Sequence, residues 1–328
     1  IAEKAGVSQA TVSRVLNQDQ NLSVSDATRK LIFETAEKLH YQKKHRKNNP
    51  LQSKRYRIAI LEWVTEEEEL EDLYYYSIRV GIEKQAQELG HEIFRVFNLE
   101  DWGPLEKADG IIALGKFSPE TIRQLESYQK RLVFVDSNTL VYGHTCVMTD
   151  FETSVYQALA YLIESGHNQI GLLVGQERTA DNRPLKTDPR YMSFKHYLEE
   201  KVLFQPDFVR VGHFSSDSGY EMMKELIDEL GDRLPSAFFM ASDALAVGAL
   251  RALQEASIPV PDQVSLISFN DTSIAKHVYP PLSTVTVYTE EMGKQAIHSL
   301  LQDLQRGDSG IPTMHTLATR LTIRESTR

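Results

Sequence analysis

Residues 1–17 read IAEKAGVSQATVSRVLN, and Gly6 interrupts what is otherwise a helical pattern. Glycine tolerates the positive φ of a tight turn, and Ser8 is a suitable N-cap for a second helix after that turn. Three apolar residues repeat on one face of this second helix: Val12, Val15 and Leu16. Ser25 can cap a third helix, so the sequence predicts a small three-helix bundle that contains a helix-turn-helix.

A helix-turn-helix places the N-terminal part of its second helix in the major groove of DNA. The early positions of this helix carry three candidate base readers: Gln9, Ala10 and Arg14. Gln pairs with adenine, Arg pairs with guanine, and Ala packs against the thymine methyl group. Four further residues offer hydroxyl or amide groups for phosphate contacts: Ser8, Thr11, Ser13 and Asn17. The pattern predicts DNA binding, although Ser and Thr at a helix start are also ordinary capping residues.

The charge of the chain is divided unevenly between its two ends. The net charge is −10, yet residues 1–57 hold 12 Lys and Arg against 5 Asp and Glu, and the remainder holds 24 against 41. A basic head on an acidic body is expected when only the head meets phosphate. A solvated basic linker would give the same balance, so charge alone leaves both interpretations open.

From residue 58 onward, short apolar runs alternate with amphipathic helical patterns. Seven runs show little polar alternation: IAIL at 58, IFRVF at 93, GIIAL at 110, RLVFV at 131, IGLLV at 170, AFFMA at 237 and VSLIS at 264. Strands of this kind, separated by helices, are typical of parallel sheets covered on both faces. The predicted fold is an N-terminal all-α helix-turn-helix head followed by an α/β body of two lobes with parallel sheets.

The domain boundaries follow from the same pattern. We expect the head at residues 1–42, a polar and basic linker with one proline at 43–57, and the body at 58–328. The predicted lobes have these ranges: lobe 1 at about 58–149 plus a returning segment near 288–310, and lobe 2 at about 150–287 plus the C-terminal strand.

Composition excludes several classes of protein. Cys146 is the single cysteine, so neither an intrachain disulfide nor a cysteine-based zinc site can form. No apolar run is long enough for a membrane span and no secretory signal pattern is present, so we expect a cytoplasmic protein without a membrane partner. The sequence has no Gly-rich phosphate loop, nucleophile elbow or metal-spaced His and carboxylate set. We therefore expect no enzymatic activity, no metal and no cofactor.

The strings AGVSQATVSRVLN and VSDATRKLIFETAEKLHY closely resemble the signature of the LacI/GalR family of bacterial transcription regulators. The resemblance extends over essentially the whole chain, through LIESGHNQIGLLVG and YPPLSTV. Within the family, FSSDSGY, MASDALAVGALRA and LISFND are most similar to the galactose repressors and the repressor of the evolved β-galactosidase. The resemblance implies a periplasmic-binding-protein-like body and a homodimer on double-stranded operator DNA. It further implies a repressor of sugar utilisation genes that galactose or a β-galactoside releases from the operator.

The family's effector pocket lies between the two lobes, and the resemblance carries its residues onto this chain. The effector-binding arginine corresponds to Arg190, and an aromatic wall corresponds to Phe214. Other positions that match the pocket are Tyr74, Tyr75, Asp136 and Asn270, with Ser242, Asp243 and Tyr288 as weaker candidates. Each residue also has a structural interpretation. Arg190 could pair with Glu199 or Asp188 on the surface, Phe214 could lie in the core, and the two aspartates could cap helices.

Two stretches depart from the family pattern. Where relatives that kink DNA carry a hinge helix, this chain has HRKNNPLQ at 45–52, and Leu51 is the candidate wedge for the minor groove. The C-terminal TLATRLTIRESTR lacks a long heptad tail, so we expect a dimer.

A second functional interpretation stays open at this point. A regulator of the catabolite-control type, whose DNA binding is controlled by a phosphorylated protein partner, resembles the same fold equally well. The response of the protein to sugars distinguishes the two.

Overall fold

The computed structural model describes residues 2–16, 24–38, 54–65, 73–97, 101–185, 187–306 and 310–328. The chain forms two compact units, Ile1–Lys54 and Arg55–Arg328, which are called the head and the body below. Leu51 and Asn17 lie outside the described residues.

The described residues of the head form three helices: α1 (Ala2–Ala5), α2 (Gln9–Leu16) and α3 (Asp26–Lys38). Gly6 has a φ of +63° and turns the chain between α1 and α2. The Ser8 hydroxyl accepts a hydrogen bond of 3.0 Å from the Thr11 amide and so caps α2. The core of this bundle is small and apolar, and its buried members are Ala5, Val12, Val15 and Ile32.

The first lobe of the body is built on a six-stranded sheet in the order β11-β5-β4-β3-β1-β2. Its strands are β1 (Arg57–Glu62), β2 (Glu92–Phe97), β3 (Gly110–Leu114), β4 (Arg131–Val135), β5 (Thr145–Thr149) and β11 (Met314–Leu317). All five pairings are parallel. Strand β3, in the middle of the sheet, is buried from end to end because helices cover both faces of the sheet.

The second lobe repeats this plan with a sheet in the order β12-β10-β9-β8-β6-β7. Its strands are β6 (Ile170–Gly175), β7 (Val209–Gly212), β8 (Ala237–Met240), β9 (Ser265–Asn270), β10 (Ser283–Thr286) and β12 (Arg320–Thr322). Only the pairing of β12 with β10 is antiparallel. The predicted α/β body with two parallel-dominated sheets is confirmed.

Seven longer helices cover the two sheets: α4 (Leu73–Glu88), α5 (Pro119–Glu126), α6 (Phe151–Glu164), α7 (Pro189–Glu200), α8 (Ser216–Leu230), α9 (Asp243–Glu255) and α10 (Thr289–Arg306). Helix α10 returns to the first lobe and packs against α4. This contact needs glycine, since a Cβ on Gly81 would lie 2.3 Å from the Glu290 carbonyl oxygen.

The C-terminal segment differs from the sequence-based expectation. One C-terminal strand was expected, in the second lobe, and β12 lies there. However, β11 joins the first lobe beyond the predicted return at 288–310. Its sequence MHTL alternates exposed and half-buried residues, so it lacks the apolar run that marks the other strands of that sheet.

Candidate functional site

A cavity of about 680 Å³ opens between the two lobes of the body. Strands from both sheets end at it, which is where open parallel sheets usually bind ligands. Its wall contains aromatic, charged and amide side chains: Trp63, Val64, Thr65, Tyr74, Tyr75, Asp136, Phe151, Gln176, Glu177, Arg178, Thr179, Ala180, Asn182, Arg190, His213, Phe214, Ser215 and Asn270. Six of the nine residues predicted for the effector site therefore lie together in this wall.

Asp136 follows β4 and is the polar centre of the first-lobe wall. Its φ of +64° turns the buried side chain away from the strand direction. The Tyr75 hydroxyl donates to Asp136 Oδ2 over 2.8 Å, and the Lys116 ammonium lies 2.8 Å from the same oxygen. Asp136 Oδ1 is buried, and no hydrogen-bond partner for it occurs among the described residues. Asp136 thus does not cap the next helix.

Lys116 joins the two lobes through two carboxylates that line the cavity, those of Asp136 and Glu177. Its Nζ lies 3.5 Å from Glu177 Oε2 of the second lobe and 2.5 Å from the Asp136 carbonyl oxygen. Burial alone would lower the pKa of Lys116, but the carboxylates of Asp136 and Glu177 outweigh burial and raise it. Burial raises the pKa of Glu177, and Lys116 opposes that effect. The ammonium of Lys116 is consequently charged, and it is paired with two carboxylates of the wall.

Arg190 is held in the second-lobe wall by a bidentate ion pair. Its Nε and Nη2 donate to the two oxygens of Asp188 over 2.9 and 2.6 Å, and Nη1 donates to the Ala241 carbonyl over 2.7 Å. The pKa of Arg190 is raised: burial would lower it, but Asp188 prevails. The predicted alternative of a pair with Asp188 is correct as a contact, but the pair is buried rather than on the surface.

Phe214 lies flat beside this arginine at the cavity. The guanidinium carbon of Arg190 lies 4.6 Å from the ring centroid of Phe214, within the range of a cation–π contact. Gly175 makes room for the ring, because a Cβ there would lie 2.3 Å from a Phe214 ring atom. Phe214 is half-buried: it lines the cavity and also packs against the core of the body.

The tyrosine triplet at the start of α4 divides between wall and surface. Tyr74 and Tyr75 are buried and line the cavity, while Tyr76 is exposed and stacks with Arg79, whose guanidinium carbon is 4.9 Å from its ring centroid. Burial, followed by the charge of Asp136, raises the pKa of both Tyr74 and Tyr75. Their hydroxyl groups therefore stay protonated and can donate hydrogen bonds.

Asn270 ends β9 with an unusual backbone. Its φ is +107°, and that of Asp271 is +58°. The neighbouring carboxylate of Asp271 accepts from Arg324 Nη2 and from the Thr286 hydroxyl, over 2.7 and 2.8 Å. These bonds offset the cost of the left-handed backbone and leave the Asn270 amide in the cavity wall.

Three residues predicted for the effector site do not line the cavity. Ser242 caps α9 by accepting from the Leu245 amide. Asp243 is buried in a structural network that uses both carboxylate oxygens, with these donors: the Ser268 hydroxyl, the Thr284 hydroxyl and the Thr272 amide and hydroxyl. Tyr288 is exposed outside the wall. A polar residue that follows a strand can therefore stabilise the fold instead of binding a ligand.

Several wall residues were not predicted from the sequence, although they also follow strands. Trp63 follows β1, Glu177 follows β6 and His213 follows β7. Because the carboxyl ends of parallel strands meet at one edge, the position of each residue after its apolar run was the available signal. Lys116 was missed because its two partners lie far from it in sequence.

In the head, the described candidates for DNA contact lie along α2 or directly before it, and Arg14 is in the last turn of the helix. Ser8, Gln9 and Arg14 are exposed and Thr11 is half-buried. The Ser8 hydroxyl also bonds to that of Thr11 over 2.8 Å, so Ser8 serves the cap as well. Ala10 and Ser13 lie on α2, and their side chains are outside what the structure describes.

Neither a metal cluster nor a membrane span occurs in the described ranges. Within them no group of three or more His, Cys, Asp or Glu side chains is arranged to hold a metal ion. No helix among these residues is both long and apolar enough to cross a membrane.

Comparison with known proteins identifies both units. Residues 1–44 match the family of bacterial regulatory proteins of the lacI type, and residues 159–327 match the periplasmic binding protein-like domain. The chain is 52% identical to the HTH-type transcriptional regulator GalR of Streptococcus thermophilus over 100% of this chain and 98% of that protein. It belongs to the LacI family. LacI-family proteins are DNA-binding transcriptional regulators with a sugar-binding body, as the sequence analysis expected.

Further relatives agree with this placement. The chain is 37% identical to the regulator GanR of Bacillus subtilis (strain 168), over 99% of this chain and 98% of that one. A solved complex of the transcriptional regulator CelR with cellobiose superimposes with a TM-score of 0.73 at 25% identity, covering 99% and 98% of the two chains. These LacI-family relatives are named as transcriptional regulators, not as enzymes.

Proposed function

We propose that this LacI-family regulator represses galactose or β-galactoside utilisation genes and that a galactose-type sugar in the interlobe cavity releases it from its operator. The observation that carries the proposal is the charge balance of the wall. Lys116 is neutralised by Asp136 and Glu177, and Arg190 is neutralised by Asp188. Arg178 also lines the cavity, so these groups together carry three positive and three negative formal charges. This balance leaves no excess positive charge for a phosphate, so the wall favours a neutral, hydroxyl-rich ligand.

The wall offers the two kinds of contact that a pyranose needs. The ring of Phe214 provides a flat face for the apolar side of a sugar, next to the donors of Arg190. Asp136 Oδ1 is a buried acceptor for a hydroxyl group, and the amide of Asn270 can both donate and accept. We assign effector binding to Tyr74, Tyr75, Asp136, Arg190, Phe214 and Asn270.

The choice of sugar rests on the relatives. Two of the similar curated regulators are named GalR, in Streptococcus thermophilus and Lacticaseibacillus casei, and the second is 40% identical to this chain. We carry galactose over from that name as the first ligand to test. The regulator is proposed to work as a homodimer in the bacterial cytoplasm.

The head is proposed to read the operator through α2. Gln9 and Arg14 would contact base edges, with Ala10 against a thymine methyl, while the residues proposed to contact phosphates are Ser8, Thr11, Ser13 and Asn17. Leu51 is proposed as the minor-groove wedge. A symmetric dimer would place two copies of α2 on two half-sites.

Calorimetric titration of the purified full chain tests the proposal. D-galactose or lactose should release or absorb heat in a saturable way, and glucose 6-phosphate should not. Binding of the phosphorylated sugar alone would contradict the charge argument. If no sugar binds, the alternative of control by a phosphorylated protein partner takes its place.

A further inference from the structure

One wall of the cavity is a single short segment, residues 176–185, which we call the strap. It begins directly after β6, in the second lobe. Six residues of the cavity wall come from it: Gln176, Glu177, Arg178, Thr179, Ala180 and Asn182. No other segment of the described chain contributes as many, so the position of the strap decides the shape of the cavity.

The strap is closed on itself by backbone hydrogen bonds. The Thr179 amide donates to the Arg183 carbonyl over 2.8 Å, and the Leu185 amide donates to the Glu177 carbonyl over 2.9 Å. Asn182, at the tip, has a φ of +62° and donates its amide to the Thr179 carbonyl over 2.7 Å. This hairpin-like turn can therefore move as one piece.

The strap crosses the cleft and is fixed to the first lobe. The hydrogen bonds described next go to residues 116–120, which lie between β3 and the first turn of α5. Three hydrogen bonds join the two segments: the Ala180 amide to the Lys116 carbonyl over 2.9 Å, the Ser118 hydroxyl to Asp181 Oδ2 over 2.9 Å, and Arg183 Nη1 to Glu120 Oε2 over 2.7 Å.

Asp181 and Arg183 carry this attachment without lining the cavity. They also support each other, since Arg183 Nε lies 2.8 Å from Asp181 Oδ2, and the Thr179 hydroxyl donates to Asp181 Oδ1 over 2.5 Å. Burial would raise the pKa of Asp181, but the bonds from Thr179 and Ser118 lower it. The Asp181 carboxylate is thus charged across the neutral pH range and is held by its contacts with Thr179, Ser118 and Arg183.

We propose that Asp181 and Arg183 are positioning residues for ligand binding, which clamp the strap onto the first lobe and so hold its wall residues against the bound sugar. This inference rests on the proposed function, because it takes the cavity as the ligand site. The ligand enters and leaves when the clamp opens.

The clamp can open because the ion pair between Arg183 and Glu120 is exposed. About half of the side-chain surface of both Arg183 and Glu120 is accessible, 55% and 47%. Exposed pairs contribute little to stability and exchange readily with water. Loss of the clamp should therefore speed up ligand exchange without a large loss of fold stability.

The test compares a clamp variant with a matched control in the full-length chain. The clamp variant is Asp181→Ala with Arg183→Ala. The control is Arg123→Ala, since Arg123 also pairs with Glu120, over 3.0 Å, but lies on the same helix and does not join the lobes. Two quantities are measured: the hydrogen-exchange rate of the Ala180 amide without ligand, and the dissociation rate of D-galactose followed by the fluorescence of Trp63 in the cavity wall.

In the clamp variant, both rates should rise by about tenfold, as expected when hydrogen bonds to charged groups are lost. In the control, both rates should stay within about twofold of the parent, as for an exposed pair. Arg183→Lys alone should raise the two rates less than Arg183→Ala alone, because lysine keeps the positive charge. The melting temperature should change little in any of these variants. A purely structural role of Asp181 and Arg183 would instead lower the melting temperature of the clamp variant.

Equal rates in the clamp variant and the control would overturn the proposal. Failure of galactose to bind the parent protein is a separate outcome, which contradicts the proposed function. In that case the exchange rate of the Ala180 amide still decides whether Asp181 and Arg183 hold the strap.

Discussion

Two arginines, one in the head and one in the body, serve this regulator in opposite environments. Arg14 lies exposed on α2, and Arg190 is buried in the cavity wall with its guanidinium on Asp188. Both side chains present the same planar set of donors. An exposed guanidinium can bind the base edges of DNA, whereas the charge of a buried guanidinium must be neutralised within the fold.

Two glycines, one in each unit, show a similar contrast. Gly6 allows a turn through its backbone alone, since a Cβ there would meet nothing within 4 Å. Gly175 is needed for space, because Phe214 occupies the volume a Cβ would take. Gly6 therefore serves local chain geometry, whereas Gly175 serves packing between segments that are distant in sequence.

Arg190→Ala should have the largest effect and should be confined to the body. It removes donors from the cavity and leaves the Asp188 carboxylate unpaired, which costs about 3–5 kcal/mol for a buried pair. Galactose affinity should fall by at least about 100-fold in calorimetry, while operator binding without sugar persists. The double variant Asp188→Asn with Arg190→Gln, which leaves no unpaired charge, should recover stability but not sugar affinity. An unchanged sugar response in either variant would exclude Arg190 from the ligand site.

Arg14→Ala should have the second-largest effect, and this effect should be confined to DNA binding by the head. Loss of a bidentate base contact costs about 1–3 kcal/mol, so operator affinity should fall by about 10- to 100-fold. Competition with nonspecific DNA should show a much smaller loss, and galactose affinity should not change. Lys4→Ala, an exposed cation on α1, should weaken both kinds of DNA binding equally. The same equal loss for Arg14→Ala would show that Arg14 contacts phosphate only.

Gly175→Ala should push the Phe214 ring into the cavity. Overpacking of this kind costs about 1–3 kcal/mol, so galactose should bind roughly tenfold more weakly. Isothermal titration of the variant measures the change, with operator binding as the internal reference for the head. Parent-like affinity would mean that the ring of Phe214 is not part of the sugar site.

Gly6→Ala should have the smallest effect of the four. A left-handed backbone costs an alanine about 1–2 kcal/mol, and there is no steric clash in addition. Calorimetric unfolding of the full chain should show a lower transition temperature for the head and an unchanged one for the body. Gly6→Asn should be milder, because Asn tolerates this conformation. A shift of the body transition would contradict an effect confined to the head.

The sequence alone was sufficient for the architecture and for part of the site. The turn at Gly6 and the apolar strands are local patterns, so they could be predicted. Asp136, Phe214 and Asn270 follow strands, and family resemblance placed them in the wall where the structure has them.

What sequence could not supply depends on long-range contacts. Asp243 looks like Asp136 in sequence, yet Ser268, Thr272 and Thr284 satisfy its carboxylate inside the fold. The role of Lys116 depends on partners from both lobes, and so does that of the strap. Such pairings are fixed only when the two sheets are assembled.

The most direct test of the account is a titration of the protein–operator complex with D-galactose, using an operator selected from random DNA. We predict that galactose dissociates the complex of the parent protein and leaves that of Arg190→Ala intact. A parent complex that is insensitive to galactose and lactose but responds to a phosphorylated carrier protein would contradict the account.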